Sequence, residues 1–389
     1  MVKTFRLDIC LVEEQFEMVQ YVEKGRKPRW GYFPKEGHPQ AVTRFDGTRI
    51  TPGFLQAIAY EVYVKNVTFG LLHQWLGDMG MTVSENTLRN WLKKGRKYLD
   101  RMVVELKRIA LEKDAVVNCD ETWCKVRKYD RYKKCYMWVL VNKAERVVIF
   151  FYEDGSRGRD VLTNFLGDAE LKALMSDGYN AYVFIGDGLK THRYKDTDHQ
   201  VCLAHVRAKF VKARMEGGDK RADVFLDNIN RLFRFEREYD REMITDGERT
   251  RRRQGLPTME AMINLRANLL QELKSEEEQK SCYMREALNY LHKFWNEAFT
   301  YIKDGRYPIS NNLAERAVRP FTTKRKNSLH FGSDEGAEIA AVYHSIISTV
   351  KLQGRSAWGY LGKFFTGIFN GCRDFLSLTP QNIDLAVCQ

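Results

Sequence analysis

Three carboxylates sit where a metal site could be built. Asp120 closes the run AVVNCD, Asp177 closes LKALMSD, and Glu315 falls one turn into a helix that follows SNN. The two runs read as strands, and a side chain at the C-terminal end of a strand is held by a rigid sheet yet open to solvent. Asn311 or Asn312 can cap the helix that carries Glu315. Carboxylates converging from two strands and a helix suit a hard cation such as Mg2+, which takes oxygen ligands and completes its shell with water and phosphate. Two such ions roughly 4 Å apart can activate an attacking oxygen and stabilise a leaving one in phosphodiester chemistry, with no protein nucleophile. Spacing alone does not single the trio out of 51 acidic residues, because an aspartate at a strand end also serves as a turn or cap residue. Glu121, Asp154, Asp160 and Asp187 compete. Glu121 would face the other side of the sheet if the strand continues, which makes it structural.

Basic residues cluster in two places. Arg316, Arg319, Lys324, Arg325 and Lys326 follow Glu315 with no acid before Ser333, and would bring phosphate-binding charge beside a metal site. Arg319 could instead pair with Glu315 as an i, i+4 partner. A second cluster, including Arg89, Lys93, Lys94 and Lys97, lies between Ser84 and Arg108, where eight lysines and arginines face three acids. The competing reading of that segment is a solvated helix on a bundle.

These side chains need elements to hold them. Residues 1–50 show no sustained periodicity and read as an extension with short strands or turns. Residues 51–110 read as three helices: one opening at Pro52, a second in FGLLHQWLGDMG, and a third capped by Ser84. Helix, Gly-containing turn and capped basic helix is the outline of a helix-turn-helix. Over residues 111–205, AVVNCD, CYMWVLVN and RVVIFFYE predict a three-strand meander. Helical GRDVLTNFL and the strands LKALMSD and HQVCLAH follow, for a mixed α/β sheet. Residues 206–305 return to helical spacing as an insertion, in which Trp295 reads as core among Leu291, Phe294 and Ile302. Residues 306–389 carry the glutamate helix, the basic TTKRKN segment and two C-terminal helices.

Bulk properties narrow the partners. With 44% hydrophobic residues the 389-residue chain can bury a core of ordinary size. A net charge of +12 favours a polyanionic partner. No window resembles a membrane span, and MVKTFRLDIC does not read as a signal peptide, so a cytoplasmic protein is expected. Eight scattered cysteines without a C-x-x-C pair indicate reduced thiols rather than a disulfide framework or zinc ribbon.

NCDETW, SDGYNAY, CLAHVRAKF and above all ISNNLAERAVRPFTTKRKNSLHFGSDEGAEIAAVYHSIISTVKLQG resemble the bacterial DDE transposases of the insertion sequence 66 family, from about Thr51 to about residue 375. The resemblance implies an RNase H-like fold with Asp120, Asp177 and Glu315 as catalytic metal ligands, and accounts for the helical insertion. It implies two Mg2+ ions, with Mn2+ a possible substitute. The expected partners are double-stranded DNA at transposon ends and target, a second copy forming a homodimer on DNA, and accessory proteins of the same element. Action at the bacterial nucleoid is expected. Cys202 and His205 are similar to a C-x-x-H element of some DDE groups; with Arg207 and Asn312 they are expected to support the carboxylates or touch DNA. As a zinc site the Cys–His pair is two ligands short of four. Long members of the family also carry an N-terminal helical region and a cysteine-rich zinc element that these residues do not show.

Other DNA-rearranging chemistries fit poorly, since the sequence has no H-x-x-R and no His-x-His pair. Two alternatives stay open: a nuclease or junction resolvase that cuts without joining, and a non-catalytic DNA-binding relative.

Overall fold

The computed structural model describes residues 11–12, 18–22, 24–27, 29–32, 45–187, 193–275 and 280–384. The chain divides into two compact units. One comprises Met1–Glu105, Thr323–Leu329 and Val342–Gln389, the other Leu106–Thr322 and His330–Ala341. These units cut the chain differently from the linear segments drawn from the sequence, because the residues after Val342 group with the first hundred.

The first unit holds a short hairpin, β1 (Met18–Tyr21) and β2 (Arg29–Tyr32), and the helices α1 (Pro52–Tyr63) and α2 (Phe69–Asp78). It also includes most of α3 (Glu85–Ala110) and all of the last helix, Ala357–Phe369. Helix starts follow local chemistry: Thr51, Thr68 and Ser84 each accept a backbone N–H from the first turn that follows. Tyr63 stacks on Tyr343 with ring centres 4.3 Å apart, and Tyr343 donates to the carbonyl of Leu92 at 2.9 Å. The three helices expected over 51–110 are present.

The second unit is built on a five-stranded mixed sheet. β3 (Val116–Lys128), β4 (Arg131–Asn142) and β5 (Val147–Phe151) form an antiparallel meander. After α4 (Arg159–Leu166) come β6 (Ala173–Ser176) and β7 (Asp198–Val201), and the sheet order is β5-β4-β3-β6-β7. β6 lies parallel to β3, and β7 parallel to β6. Met137 to Asn142 are all buried, the continuous run expected of a central strand covered on both faces.

α5 (Leu203–Met215) leaves β7, and α6 (Ala222–Glu242), α7 (Asp246–Arg253), α8 (Leu256–Lys274), α9 (Cys282–Lys293) and α10 (Trp295–Phe299) form the helical block. Phe210, Phe225, Leu265 and Leu288 knit these helices into one core, with Trp295 packed against it. The buried Arg253 ties the block together: its guanidinium pairs with Glu236 and donates to the carbonyls of Tyr301, Asp304 and Tyr307. α11 (Asn312–Ser328) and α12 (Asp334–Leu352) follow, each contributing to both units. With the last helix, α13, the described residues form thirteen α-helices. Among those residues no helix is long and apolar enough to cross a membrane.

Two local expectations need correction. β3 does not stop at Asp120 but runs eight residues further, to Lys128, so Asp120 lies within the strand. α11 continues through Pro320 and the basic TTKRKN segment to Ser328. Proline removes one helical N–H donor, but Ala314, Val318 and Phe321 bury one apolar stripe, and Phe321 stacks on Phe150 with centroids 6.0 Å apart.

Candidate active site

The three expected carboxylates share the second unit. Asp120 comes from the middle of β3, Asp177 follows the last residue of β6, and Glu315 sits in the first turn of α11. Asp120 is pushed up to about 8, chiefly by burial, then by the charge of Glu121, with Asp177 and Glu315 adding to it. Asp120 therefore lies in the field of the other two carboxylates. Among the described residues none of them pairs with lysine or arginine; the ionic neighbour of Glu315 is His205, at 3.7 Å, and not Arg319. Hard oxygen donors without a basic partner are the ligand type a divalent cation such as Mg2+ takes, but among the described residues Asp120 and Asp177 do not join Glu315 in a group of ligand atoms within 4.8 Å.

Backbone geometry fixes each acid. Oδ1 of Asp120 accepts the N–H of Glu121 at 2.9 Å, and Oδ1 of Asp177 accepts the N–H of Tyr179 at 2.9 Å. Gly178 adopts φ +79°, and a Cβ there would lie 2.9 Å from the Tyr290 hydroxyl and 3.2 Å from Phe294. The Tyr290 hydroxyl itself donates to the carbonyl of Asp177. Glycine is therefore required beside the second aspartate for both its dihedral angle and its lack of bulk.

Asn311, fully buried, joins the glutamate helix to the sheet. Its amide donates to the carbonyl of Cys119 at 2.9 Å and its oxygen accepts from the Asn118 amide at 2.9 Å. Its backbone N–H reaches the Cys202 sulfur at 3.1 Å, while its carbonyl accepts the N–H of Glu315. The sequence named Asn311 only as one of two possible caps and carried Asn312 forward; Asn312 is exposed. Asn311 went unrecognised because its side-chain partners lie more than 190 positions away.

Cys202 and His205 do reach the site. With Glu315 they offer ligand atoms all within 4.8 Å of one another. The Cys202 thiol is pushed up to about 11 by burial and already serves as a hydrogen-bond acceptor, which favours support of α11 over metal ligation. Nδ1 of His205 is buried without a hydrogen-bond partner and faces Glu315. Arg207 turns elsewhere, donating to Asn230 of α6 at 2.6 Å.

Glu121 is paired on the opposite face of β3 from Asp120. It accepts from Arg157 at 2.6 Å and from the Tyr182 hydroxyl at 2.5 Å, as its structural reading requires. Burial raises it above the usual carboxylate range.

The cations divide. Arg316 and Arg319 are exposed on α11 in the same unit as Glu315. In the other unit Lys326 is exposed and Arg325 half-buried, but Lys324 is buried, with its ammonium 4.1 Å from the centre of the Tyr63 ring. Burial lowers Lys324 to about 7, which disfavours the charged form that a phosphate contact uses. On α3, Arg89 pairs with Glu85 at 2.5 Å, Lys94 donates to the carbonyl of Asp46 at 2.9 Å, and Lys97 stands 3.9 Å from Asp46, while Lys93 is exposed. Lys93, Lys97, Arg101 and Arg373 also line one groove of about 510 Å³.

A five-stranded mixed sheet with acids from β3, the end of β6 and the first turn of α11 defines a mixed α/β protein. The family model described as the transposase IS66 family matches residues 47–339, and the chain belongs to that family. Two similar proteins come from Sinorhizobium fredii (strain NBRC 101917 / NGR234), both described as uncharacterized. y4jD is 25% identical over 350 residues, covering 85% of this chain and 65% of that protein. y4qI is 27% identical over 239 residues, covering 61% of this chain and 43% of that protein. The chain thus spans less than two thirds of the length of either relative.

Proposed function

We propose that this chain is a DNA transposase that cleaves transposon ends and joins the freed 3′-OH to target DNA, with Asp120, Asp177 and Glu315 as its metal ligands. The observation that carries this reading is the electrostatic one: Asp120 on β3 is buried with its pKa raised, the charges of Asp177 after β6 and of Glu315 on α11 add to that rise, and among the described residues no lysine or arginine pairs with the three. The sheet order, with the first strand of the meander central and the last two strands parallel to it, supports an RNase H-like reading of the fold.

Two Mg2+ ions, or Mn2+ in their place, would supply charge neutralisation and an activated oxygen at the scissile phosphate. The protein's contribution is position. Asn311 holds the start of α11 against β3, Cys202 holds the same turn from β7, and His205 flanks Glu315. A water oxygen adds to phosphorus as the P–O3′ bond breaks, leaving a 3′-OH; in the second step that hydroxyl adds to a target phosphorus and the target's own 3′ oxygen departs. Arg316, Arg319, Arg325 and Lys326, with Lys93 and Lys97 on the helix-turn-helix-like segment, would hold DNA by its phosphates. Work on two ends implies a homodimer on DNA, aided by accessory proteins of the element.

The test is incubation of the metal-loaded protein with pre-cleaved transposon ends and a plasmid. Joined products that vanish with Asp120→Asn and Glu315→Gln are expected. Hydrolysis without joining would replace this reading with that of a nuclease.

A further inference from the structure

β3 and β4 run beyond the sheet as a hairpin, and the residues on one face of it are exposed or half-buried. Register sets Trp123 opposite Tyr136, Lys125 opposite Lys134 and Arg127 opposite Tyr132, all on one face. The other face, with Cys124, Val126 and Cys135, is buried. On the open face Trp123 keeps 37% of its surface exposed and Tyr132 50%, and the four partners Lys125, Lys134, Arg127 and Tyr136 are exposed or half-buried. Tyr129 at the tip is 97% exposed with φ +55°, a conformation a bulky residue adopts at a cost.

The hairpin is braced. Phe331 exchanges backbone hydrogen bonds with Lys125 and Arg127, and Lys128 bridges Asp154 and Asp334, each at 2.6 Å. Rings and cations interleave along the open face: the Lys134 ammonium lies 6.0 Å from the Trp123 ring and 5.6 Å from Tyr136. At its inner end the Arg157 guanidinium lies between Tyr136, 5.0 Å away, and Tyr179, 3.8 Å away. Tyr179 donates its N–H to Asp177, so the inner end of the track lies two residues from that aspartate, although Trp123 shares the face of Glu121 and not that of Asp120.

We infer that this face binds unpaired DNA, stacking bases on Trp123, Tyr136 and Tyr132 while Lys125, Arg127 and Lys134 hold the phosphates. Alternating rings and cations on a rigid surface match a single strand, whose bases are free to stack; a duplex offers only phosphates to the cations and leaves the rings without partners. The occupant is the strand frayed or released beside the cut. This rests on reading the carboxylate cluster as a DNA-processing site, but binding is measurable without chemistry.

The experiment uses the full chain in chelator and compares a fluorescent single-stranded oligonucleotide with a duplex of equal length by anisotropy. Trp123→Leu should weaken oligonucleotide binding roughly ten-fold, the loss of about one base stack, and leave duplex binding unchanged, while Trp123→Phe restores most of it. Lys125→Gln with Lys134→Gln should lower the salt dependence of oligonucleotide binding. Thermal melts show that each variant is folded. Unaltered oligonucleotide affinity in folded Trp123→Leu, or equal losses for oligonucleotide and duplex, overturns the inference. Asp120→Asn tests the carboxylate reading separately: lost cleavage with oligonucleotide binding retained keeps both proposals, and cleavage retained in Asp120→Asn overturns the carboxylate reading alone.

Discussion

Asn311 donates its side-chain amide to the carbonyl of Cys119 at 2.9 Å, one residue before the first candidate metal ligand and four before the last on its own helix. That bond ties Asp120 and Glu315 to a common frame. Replacing Asn311 with Ala removes the side-chain donor to the Cys119 carbonyl and leaves the buried Asn118 amide only the Ser310 carbonyl at 3.5 Å, at about 1–3 kcal/mol for each lost bond. A lower melting temperature and a fall in strand cleavage of at least ten-fold are expected. Wild-type cleavage in a folded Asn311→Ala protein would show that the helix start needs no such anchor.

Asp120 should make the metal-free protein less stable as pH rises. Its folded pKa of about 8 lies above the unfolded value of 3.8, so between those values the folded state holds the extra proton. Stability from this group is full below about pH 4 and is lost as pH climbs through about 8, a difference on the order of a few kcal/mol. Asp120→Asn should flatten the slope and raise the melting temperature at pH 8. Adding Mg2+ should raise it for the wild type and much less for the variant. Parallel melting curves across pH 5–8 would contradict this.

Gly178→Ala should act on Asp177 alone among the three acids. The new methyl meets Tyr290 and Phe294 and forces a left-handed alanine, so the turn holding Asp177 must shift. Strand cleavage should drop by about a hundred-fold while DNA affinity stays within two-fold, since a displacement near 1 Å has that effect. A loss of affinity equal to the loss of cleavage would instead indicate a general collapse.

Lys324 and Lys326, two positions apart, should behave oppositely. Lys324 folds with its pKa near 7, below the unfolded 10.5, so its contribution to stability grows from about pH 7 to 10.5 as the unfolded chain alone keeps the proton. Lys324→Met should stabilise the protein at pH 7 and leave DNA binding unaltered. Lys326→Ala should leave the melting temperature alone, weaken DNA binding and reduce its salt slope by about one. Salt titrations of both variants distinguish them.

The expected α/β class, the meander, the helical block and the starts of the first three helices were all legible in the sequence, because periodicity and caps are local. Asp120, Asp177 and Glu315 stood out through motif resemblance, and the fold gives all three to one unit. Lys324 was misread as surface because charge outweighed position: it lies three residues after Phe321 on the stripe of Ala314 and Val318, a spacing that pointed inward. The outer half of β3 was missed for a related reason. Trp123, Lys125 and Arg127 alternate with buried Cys124 and Val126, yet the turn between the strands is Tyr129–Asp130 rather than a Gly-containing pair. Asn311 was a matter of distance along the chain, which no local pattern reports.

The helical block between β7 and α11 also sets a schedule. Both aspartates are synthesised well before Glu315, and the turn that Asn311 anchors emerges only after α6 to α10 have been made. A nascent chain therefore carries both aspartates without Glu315 through the translation of the whole block. On the proposed reading, a product truncated inside the block would hold two of the three acids and leave DNA uncut.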